Sequence, residues 1–186
     1  MQFNRTALFE HAWEKVAAAH WLKYPNTQHM PHVEHVDYLD RYLDAQGRLH
    51  TIRLIRCRQP VPDWIMRLGS LLIGGASSEA MFVREHSIVD VHTQVMRLWT
   101  RPMGLPEYAE VEEECEYQTS PDLQHTVMRQ SVRVTLGDGW FTGLARRVEE
   151  WCIARFEQNA EKGKIALEDA LLHKVNEPAL LLTTSE

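Results

Sequence analysis

The sequence contains few cysteines and none of the short motifs that mark common catalytic or nucleotide-binding sites. Cys57, Cys115 and Cys152 are far apart and form no CxxC pair, which argues against a disulfide framework and against a thiolate zinc site. No nucleophile elbow, phosphate-binding loop or HExxH motif is present. We therefore expect no catalytic residues of these classes, no metal and no other cofactor.

The sequence also lacks a long apolar run and an excess of basic residues. No segment approaches the roughly 20 apolar residues of a membrane-spanning helix, and residues 1–11 resemble neither a secretory signal nor a transit peptide. The formal net charge is -6, and no basic stripe is interleaved with aromatic residues, which argues against a nucleic-acid partner. These features predict a soluble globular protein, and composition alone predicts a cytosolic one.

The 186 residues do contain short segments with alternating apolar and polar residues, followed by one long helical pattern. The length suits one domain, which we place at residues 1–175, with residues 176–186 as a flexible tail. Helical spacing predicts a first helix that begins at Trp13 and a long helix at residues 141–175. The alternation predicts seven strands, at residues 2–9, 34–43, 49–58, 79–89, 94–100, 109–117 and 126–136.

This order of elements predicts an α+β fold, in which a curved antiparallel sheet of about seven strands is wrapped around the long C-terminal helix. One face of the sheet and one face of the helix then enclose a common interior. If side chains do not fill this interior, it is a cavity that can hold a ligand.

Three polar residues lie on the face of the long helix that its apolar residues mark as buried. At about 100° per residue, Arg155, Asn159 and Lys162 share an arc with Trp151 and Phe156. Two cations on such a stripe need partners, because an unpaired buried charge costs several kcal/mol. Either internal carboxylates pair with them, or an anionic ligand enters from outside.

Lys23, in the last turn of the first helix, and Arg53 are further cations for such a site. Lysine and arginine bind phosphate groups through charge-assisted hydrogen bonds. The competing interpretation is that internal acids pair with these cations. Glu113 is the candidate partner, because it shares strand parity with Val111 and Cys115 on the apolar side of its segment. The residues alone leave both interpretations open.

An apolar stretch at residues 63–78 ends near the paired glycines Gly74 and Gly75. It is either a buried helix or a mobile lid whose side chains contact a membrane or cover the mouth of a ligand site. The lid residues would be Trp64, Ile65, Met66, Leu68, Leu71 and Leu72.

Two clusters of histidine and glutamate are interpreted as surface features. Histidines recur every three residues in a segment that becomes a strand, where this spacing alternates faces, so we do not expect a metal site. Alternate glutamates of the sixth strand share one face, which we expect to be solvated. The two sets are His29, His32 and His35, and Glu110, Glu112, Glu114 and Glu116.

Five parts of the chain stand out by their residues, order and spacing. They are WEKV at 13–16 with KYPN at 23–26, GRL at 47–49 with RLI at 53–55, PDWI at 62–65, EHSIVD at 85–90, and VEEW at 148–151 with RFEQN at 155–159 and Lys162. Together, over about residues 1–172, they make the sequence similar to the PRELI-domain family, which includes the Ups and slowmo proteins.

The resemblance implies a lipid shuttle of the mitochondrial intermembrane space, not an enzyme. Such a protein carries one glycerophospholipid between the two mitochondrial membranes, in a cavity covered by a lid. The implied partners are the phospholipid, an anionic membrane surface contacted transiently, and a small twin Cys-x9-Cys helical protein of the TRIAP type. By matching position, the headgroup residues would be Lys23 and Arg53 at the pocket bottom, His32 in its wall, and Arg155, Asn159 and Lys162 on the helix, with the lid at 64–75.

Departures from the phosphatidic-acid-carrying branch make the sequence look more like the slowmo-type branch. The former usually has arginine before Tyr-Pro-Asn, where this chain has Lys23, and it can carry lysines where this chain has Cys57 and Pro60. The resemblance therefore favours phosphatidylserine as the cargo, with phosphatidic acid next.

Two other classes of function stay open beside the lipid shuttle. One is an enzyme that acts on a small hydrophobic substrate in the cavity of an α+β fold, with Glu113 and a histidine as acid and base. The other is a scaffold that stabilises its partner protein and binds no lipid.

Overall fold

The computed structural model describes residues 1–24, 28–58, 80–103, 109–136 and 142–173, without the side chains of residues 109, 142 and 144. These residues form seven strands and two helices, as the alternation of apolar and polar residues predicts. The elements are β1 (Gln2–Phe9), α1 (Trp13–Leu22), β2 (Val33–Leu43), β3 (Leu49–Arg58), β4 (Ala80–Asp90), β5 (Val95–Pro102), β6 (Ala109–Thr119), β7 (Thr126–Leu136) and α2 (Thr142–His173).

The strands form one antiparallel, curved sheet in the order β1-β7-β6-β5-β4-β3-β2. Strands β2 to β7 follow one another as a meander, and β1 pairs with the far edge of β7. The β2–β3 turn forms because Asp44 accepts hydrogen bonds from the backbone N–H groups of Gln46 and Arg48, while Gly47 takes a φ of 77°. The predicted α+β architecture is confirmed.

The main core joins α1, the inner sheet face and the end of α2. Phe9 and Trp13 pack with Met96, Tyr117 and Leu167, and each of these side chains is buried. Burial of a large apolar side chain contributes about 1.5–3 kcal/mol relative to exposure. A smaller cluster beneath the same helix end contains Met30, Val33, Ile55, Cys57, Val83 and Ala166.

The middle of α2 does not pack into this core. The helix has 32 residues, which corresponds to a length of about 48 Å. Val148 is buried near its start, and Ala166, Leu167, Ala170 and Leu171 are buried near its end. Every residue from 149 to 165 is half-buried or exposed.

This middle segment differs from the sequence expectation of one continuous buried face. Trp151, Cys152 and Phe156, which the helical arc places on the buried side, are only half-buried. Helical periodicity gives the direction of a side chain but not whether another element packs against it. The central four turns of α2 therefore contribute no fully buried side chain to the core. None of the described helices is long and apolar enough to cross a membrane.

Candidate functional site

A row of polar residues crosses the inner face of the sheet. The strand register places Arg53 of β3 opposite Glu85 of β4, Glu85 opposite Thr100 of β5, and Thr100 opposite Glu113 of β6. Neighbouring strands lie about 4.8 Å apart, so Glu85 and Glu113 are separated by about 10 Å across the sheet. The position of each residue follows from strand parity, because alternate residues of β3 and β4 point inward.

Arg53 and Glu85 form a buried ion pair at one end of this row. Arg53 donates hydrogen bonds to Glu85 Oε1 from Nε at 2.8 Å and from Nη2 at 2.5 Å. His20 Nε2 lies 2.8 Å from Arg53 Nη2 and 3.6 Å from Glu85 Oε1. Arg53 is 0% exposed, and its guanidinium also lies 4.9 Å from the ring centre of Trp21. The structure thus places Arg53 beneath the interior surface, bonded to Glu85.

The pair carries no net charge. Burial acts to raise the pKa of Glu85, but the charge of Arg53 and the two hydrogen bonds that it donates hold this pKa well below its ordinary value. Burial lowers the pKa of His20 to about 3, with the charge of Lys23 acting in the same direction, so this imidazole is neutral. The charges of Arg53 and Glu85 then cancel. Two buried atoms of the cluster, Arg53 Nη1 and His20 Nδ1, have no hydrogen-bond partner among the described residues.

Lys23 follows α1 as its C-cap residue and lies next to this neutral pair. Its side chain is half-buried, and its Nζ lies 5.0 Å from the ring centre of Tyr24. Burial lowers the pKa of Lys23, the charge of Glu85 opposes this effect, and the charge of Arg53 adds to it. Within the described part of the chain, no carboxylate lies within ion-pair distance of Lys23 Nζ. Lys23 is therefore a cation to which the described residues offer no bonded counter-ion.

Glu113 marks the other end of the row. It is half-buried and accepts a hydrogen bond from Gln130 Nε2 of β7. Burial raises the pKa of Glu113, while the hydrogen bond from Gln130 and the charge of Lys23 act in the opposite direction. The sequence interpretation named Glu113 as a candidate partner of Arg155. The structure instead pairs this carboxylate with Gln130.

The polar residues of α2 form a second group, on the unpacked middle of the helix. Arg155 and Asn159 are half-buried, and Lys162 is exposed. Arg155 Nη1 donates a hydrogen bond of 3.3 Å to Gln158 Oε1. His32, half-buried just before β2, lies near this group: burial lowers its pKa, and the charges of Lys162 and Arg155 lower it further.

The described contacts connect the predicted headgroup residues in two sets. Lys23 and Arg53 lie at the polar row, and His32 lies near Arg155 and Lys162 of α2. The predicted lid, from Trp64 to Leu72, lies outside the described residues.

His20, Glu85 and Gln130 are site residues that were not predicted from the sequence. The inward direction of Glu85 could have been predicted from strand alternation in β4, because this residue shares a face with the buried Val83 and Ser87.

The thiols near this interior are unsuited to nucleophilic catalysis. Burial raises the pKa of Cys57 to about 11, that of Cys115 to about 12 and that of Cys152 to about 11. These groups remain protonated at neutral pH, and the thiol is a much weaker nucleophile than the thiolate. Among the described residues, no three histidine, cysteine or acidic side chains are arranged to hold a metal ion.

The fold is similar to that of TTHA0849, a protein from Thermus thermophilus whose crystal structure is known. The two superpose with a TM-score of 0.57 at 15% sequence identity, over 92% of this chain and 97% of the other. At this identity the likeness concerns the fold alone.

Comparison of the sequence with known proteins identifies its relatives. A UPS-like protein of Schizosaccharomyces pombe is 36% identical over 174 residues, which cover 94% of this chain and 90% of the relative. The mitochondrial protein UPS2 of Saccharomyces cerevisiae is 35% identical over 178 residues, covering 94% of this chain and 74% of the relative. A slowmo homolog of Dictyostelium discoideum is 32% identical over 166 residues, which cover 88% of this chain and 68% of the relative. The model of the PRELI-like family matches residues 14–177, and the chain therefore belongs to this family.

Proposed function

We propose that the chain is a phospholipid transfer protein that carries an anionic glycerophospholipid between mitochondrial membranes. Phosphatidylserine is the favoured cargo and phosphatidic acid the next. The observation that carries the proposal is the position of Lys23, a half-buried cation beside the neutral Arg53–Glu85 pair, for which the described residues supply no bonded carboxylate. Family membership and the mitochondrial name of one relative support the assignment and its compartment.

The charge balance of the polar row suits a phosphodiester. Arg53 and Glu85 neutralise each other, so Lys23 supplies one positive charge for one phosphate negative charge. Burial disfavours the ionised form of Lys23, and a phosphate oxygen would stabilise that form through a charge-assisted hydrogen bond. Arg155, Asn159, Lys162 and His32 would then contact the outer part of the headgroup from α2 and the loop before β2. Arg53 would support the site from beneath, through Glu85.

The apolar part of the cargo would occupy the space between α2 and the sheet. Each CH₂ of an acyl chain that leaves water contributes about 0.8 kcal/mol, in the bilayer as in a protein interior. The two environments are nearly equivalent for the chains, so extraction and delivery are close to balanced, as a shuttle requires.

The remaining components of the proposal come from the family resemblance. The chain would act in the intermembrane space, with a small twin Cys-x9-Cys helical protein as its partner. It would contact an anionic membrane through residues 64–72. These residues lie outside the described part of the chain.

Transfer of labelled phosphatidylserine between donor and acceptor liposomes tests the proposal. The purified chain, alone and with its helical partner, should accelerate transfer and should contain intact phospholipid by native mass spectrometry. Absence of both lipid and transfer, with partner binding retained, would identify a scaffold. Chemical conversion of the lipid, or of another bound hydrophobic molecule, would identify an enzyme.

A further inference from the structure

The inner sheet face carries acceptor groups for which the described residues supply no cation. Glu113 makes one hydrogen bond, from the amide of Gln130, and no lysine or arginine of the described residues lies within ion-pair distance of its carboxylate. Gln130 Oε1 is buried and has no hydrogen-bond partner among the described residues. Two neighbouring side chains of β6 and β7 thus present acceptor capacity on the inner face of the sheet that the described residues leave unused.

Glu113 differs from Glu85, the fully buried acid of the same row. Glu85 accepts two hydrogen bonds from Arg53, and its charge is compensated within the protein. Among the described residues, Glu113 has only the neutral donor Gln130. Desolvation disfavours an ion that has no charged partner. A cationic donor from a ligand would therefore stabilise the ionised form of Glu113.

Lys23 lies within electrostatic range of this carboxylate. Its charge influences both Glu85 and Glu113, although it bonds to neither. A positive group and a negative group then face the same interior without forming a pair between themselves. This arrangement complements a ligand that carries an anion and a cation close together.

We infer that Glu113, held by Gln130, is a specificity-determining residue that accepts the ammonium group of an aminophospholipid while Lys23 binds its phosphate. The inference rests on the proposed function and deepens it, because it names the headgroup chemistry that the interior selects. Phosphatidylserine and phosphatidylethanolamine carry the required ammonium, phosphatidylglycerol offers only hydroxyl donors, and phosphatidic acid offers a bare phosphate. Phosphatidic acid has no ammonium group, so Lys23 would pair with its phosphate while Glu113 stayed without a cationic partner.

Competition among lipids provides the test. Donor liposomes contain phosphatidylserine, phosphatidylethanolamine, phosphatidylglycerol and phosphatidic acid in equal amounts, and the lipids bound to the purified chain are identified by mass spectrometry. The variants are Glu113→Gln, which removes the charge, and Gln130→Met, which removes the amide that holds Glu113. The matched control is Glu114→Gln, on the same strand but exposed on the outer face.

The charge-removing variant should retain its total lipid load but change its composition. The ratio of aminophospholipids to phosphatidic acid should fall at least tenfold in Glu113→Gln, the effect of one lost charge-assisted hydrogen bond. Gln130→Met should shift it in the same direction, and the control should match the wild type. Should Glu113→Gln fail to fold, Gln130→Met alone decides the test.

An unchanged ratio in a folded variant that still binds phospholipid would overturn the inference while leaving the proposed function intact. A uniform loss of all four lipids would also overturn it, because Glu113 would then support the fold of the pocket rather than select the headgroup. A wild-type chain that binds no phospholipid would overturn both proposals together.

Discussion

Replacement of Glu85 by glutamine tests the buried ion pair on which the polar row is built. Arg53 is 0% exposed and directs two nitrogens at Glu85 Oε1, at 2.8 and 2.5 Å. Glutamine keeps the size and one acceptor but leaves the guanidinium charge uncompensated. Breaking a buried pair in this way costs about 3–5 kcal/mol, a large fraction of the 5–15 kcal/mol that typically stabilises a domain.

Urea denaturation at pH 7 measures this loss as a change in the free energy of unfolding. For a chain of this length, 1 kcal/mol corresponds to about 2–4 °C, so the melting temperature should fall by roughly 6–20 °C. The double variant Arg53→Met with Glu85→Leu removes both charges, and we expect it to be more stable than Glu85→Gln. A loss below about 1 kcal/mol in Glu85→Gln would refute the reasoning, because the guanidinium would then find water or another partner in solution.

Two further predictions concern His20 and the polar residues of α2. In the folded chain His20 has a pKa of about 3 and stays neutral between pH 6.5 and 3, whereas in the unfolded chain this histidine binds a proton below about pH 6.5. The free energy of unfolding therefore falls as the pH is lowered through this window. Between pH 7 and 5, urea denaturation should show wild type losing about 2 kcal/mol more than His20→Gln, and equal losses would contradict the assignment. Arg155→Glu and Lys162→Glu should each reduce liposome transfer more than tenfold with little change in melting temperature, because neither side chain is buried. Lys164→Glu is the control, and equal transfer by all three variants would remove α2 from the headgroup site.

The strands could be predicted closely because one face of the sheet is buried. Predicted and observed bounds agree at Gln2–Phe9, Leu49–Arg58 and Thr126–Leu136, where inward and outward residues alternate over most of each strand. The other four differ at their ends by up to two residues. Such ends depend on hydrogen bonds to neighbouring strands rather than on the local pattern.

The partners of the buried charges could not be predicted in the same way. Arg53 and Glu85 are 32 residues apart, and only the β3–β4 register places them opposite each other. Glu113 was recognised as an inward acid, but its partner Gln130 depends on the register of β7. Parity gives the direction of a side chain, whereas pairing also requires the register between two strands. A one-residue slip of that register would turn the side chains to the other face of the sheet.

The long helix shows a similar limit. Periodicity places Arg155, Asn159 and Lys162 on one arc, but it does not reveal that residues 149–165 lack buried packing. The unpacked middle changes the interpretation of these residues, because half-exposed cations need no internal counter-ion. Arg155 and Lys162 are therefore compatible with an open site.

The most direct test of the central claim is the transfer rate of phosphatidylserine between liposomes by Lys23→Gln. The matched control is Lys15→Gln, which removes an exposed lysine from the same helix. Lys23→Gln should lower transfer at least tenfold, the effect of one lost charge-assisted hydrogen bond to the phosphate. The melting temperature should stay the same or rise, because the lost charge is half-buried and the described residues give it no ion pair. Transfer equal to that of Lys15→Gln would contradict the assignment of Lys23 as the phosphate-binding residue.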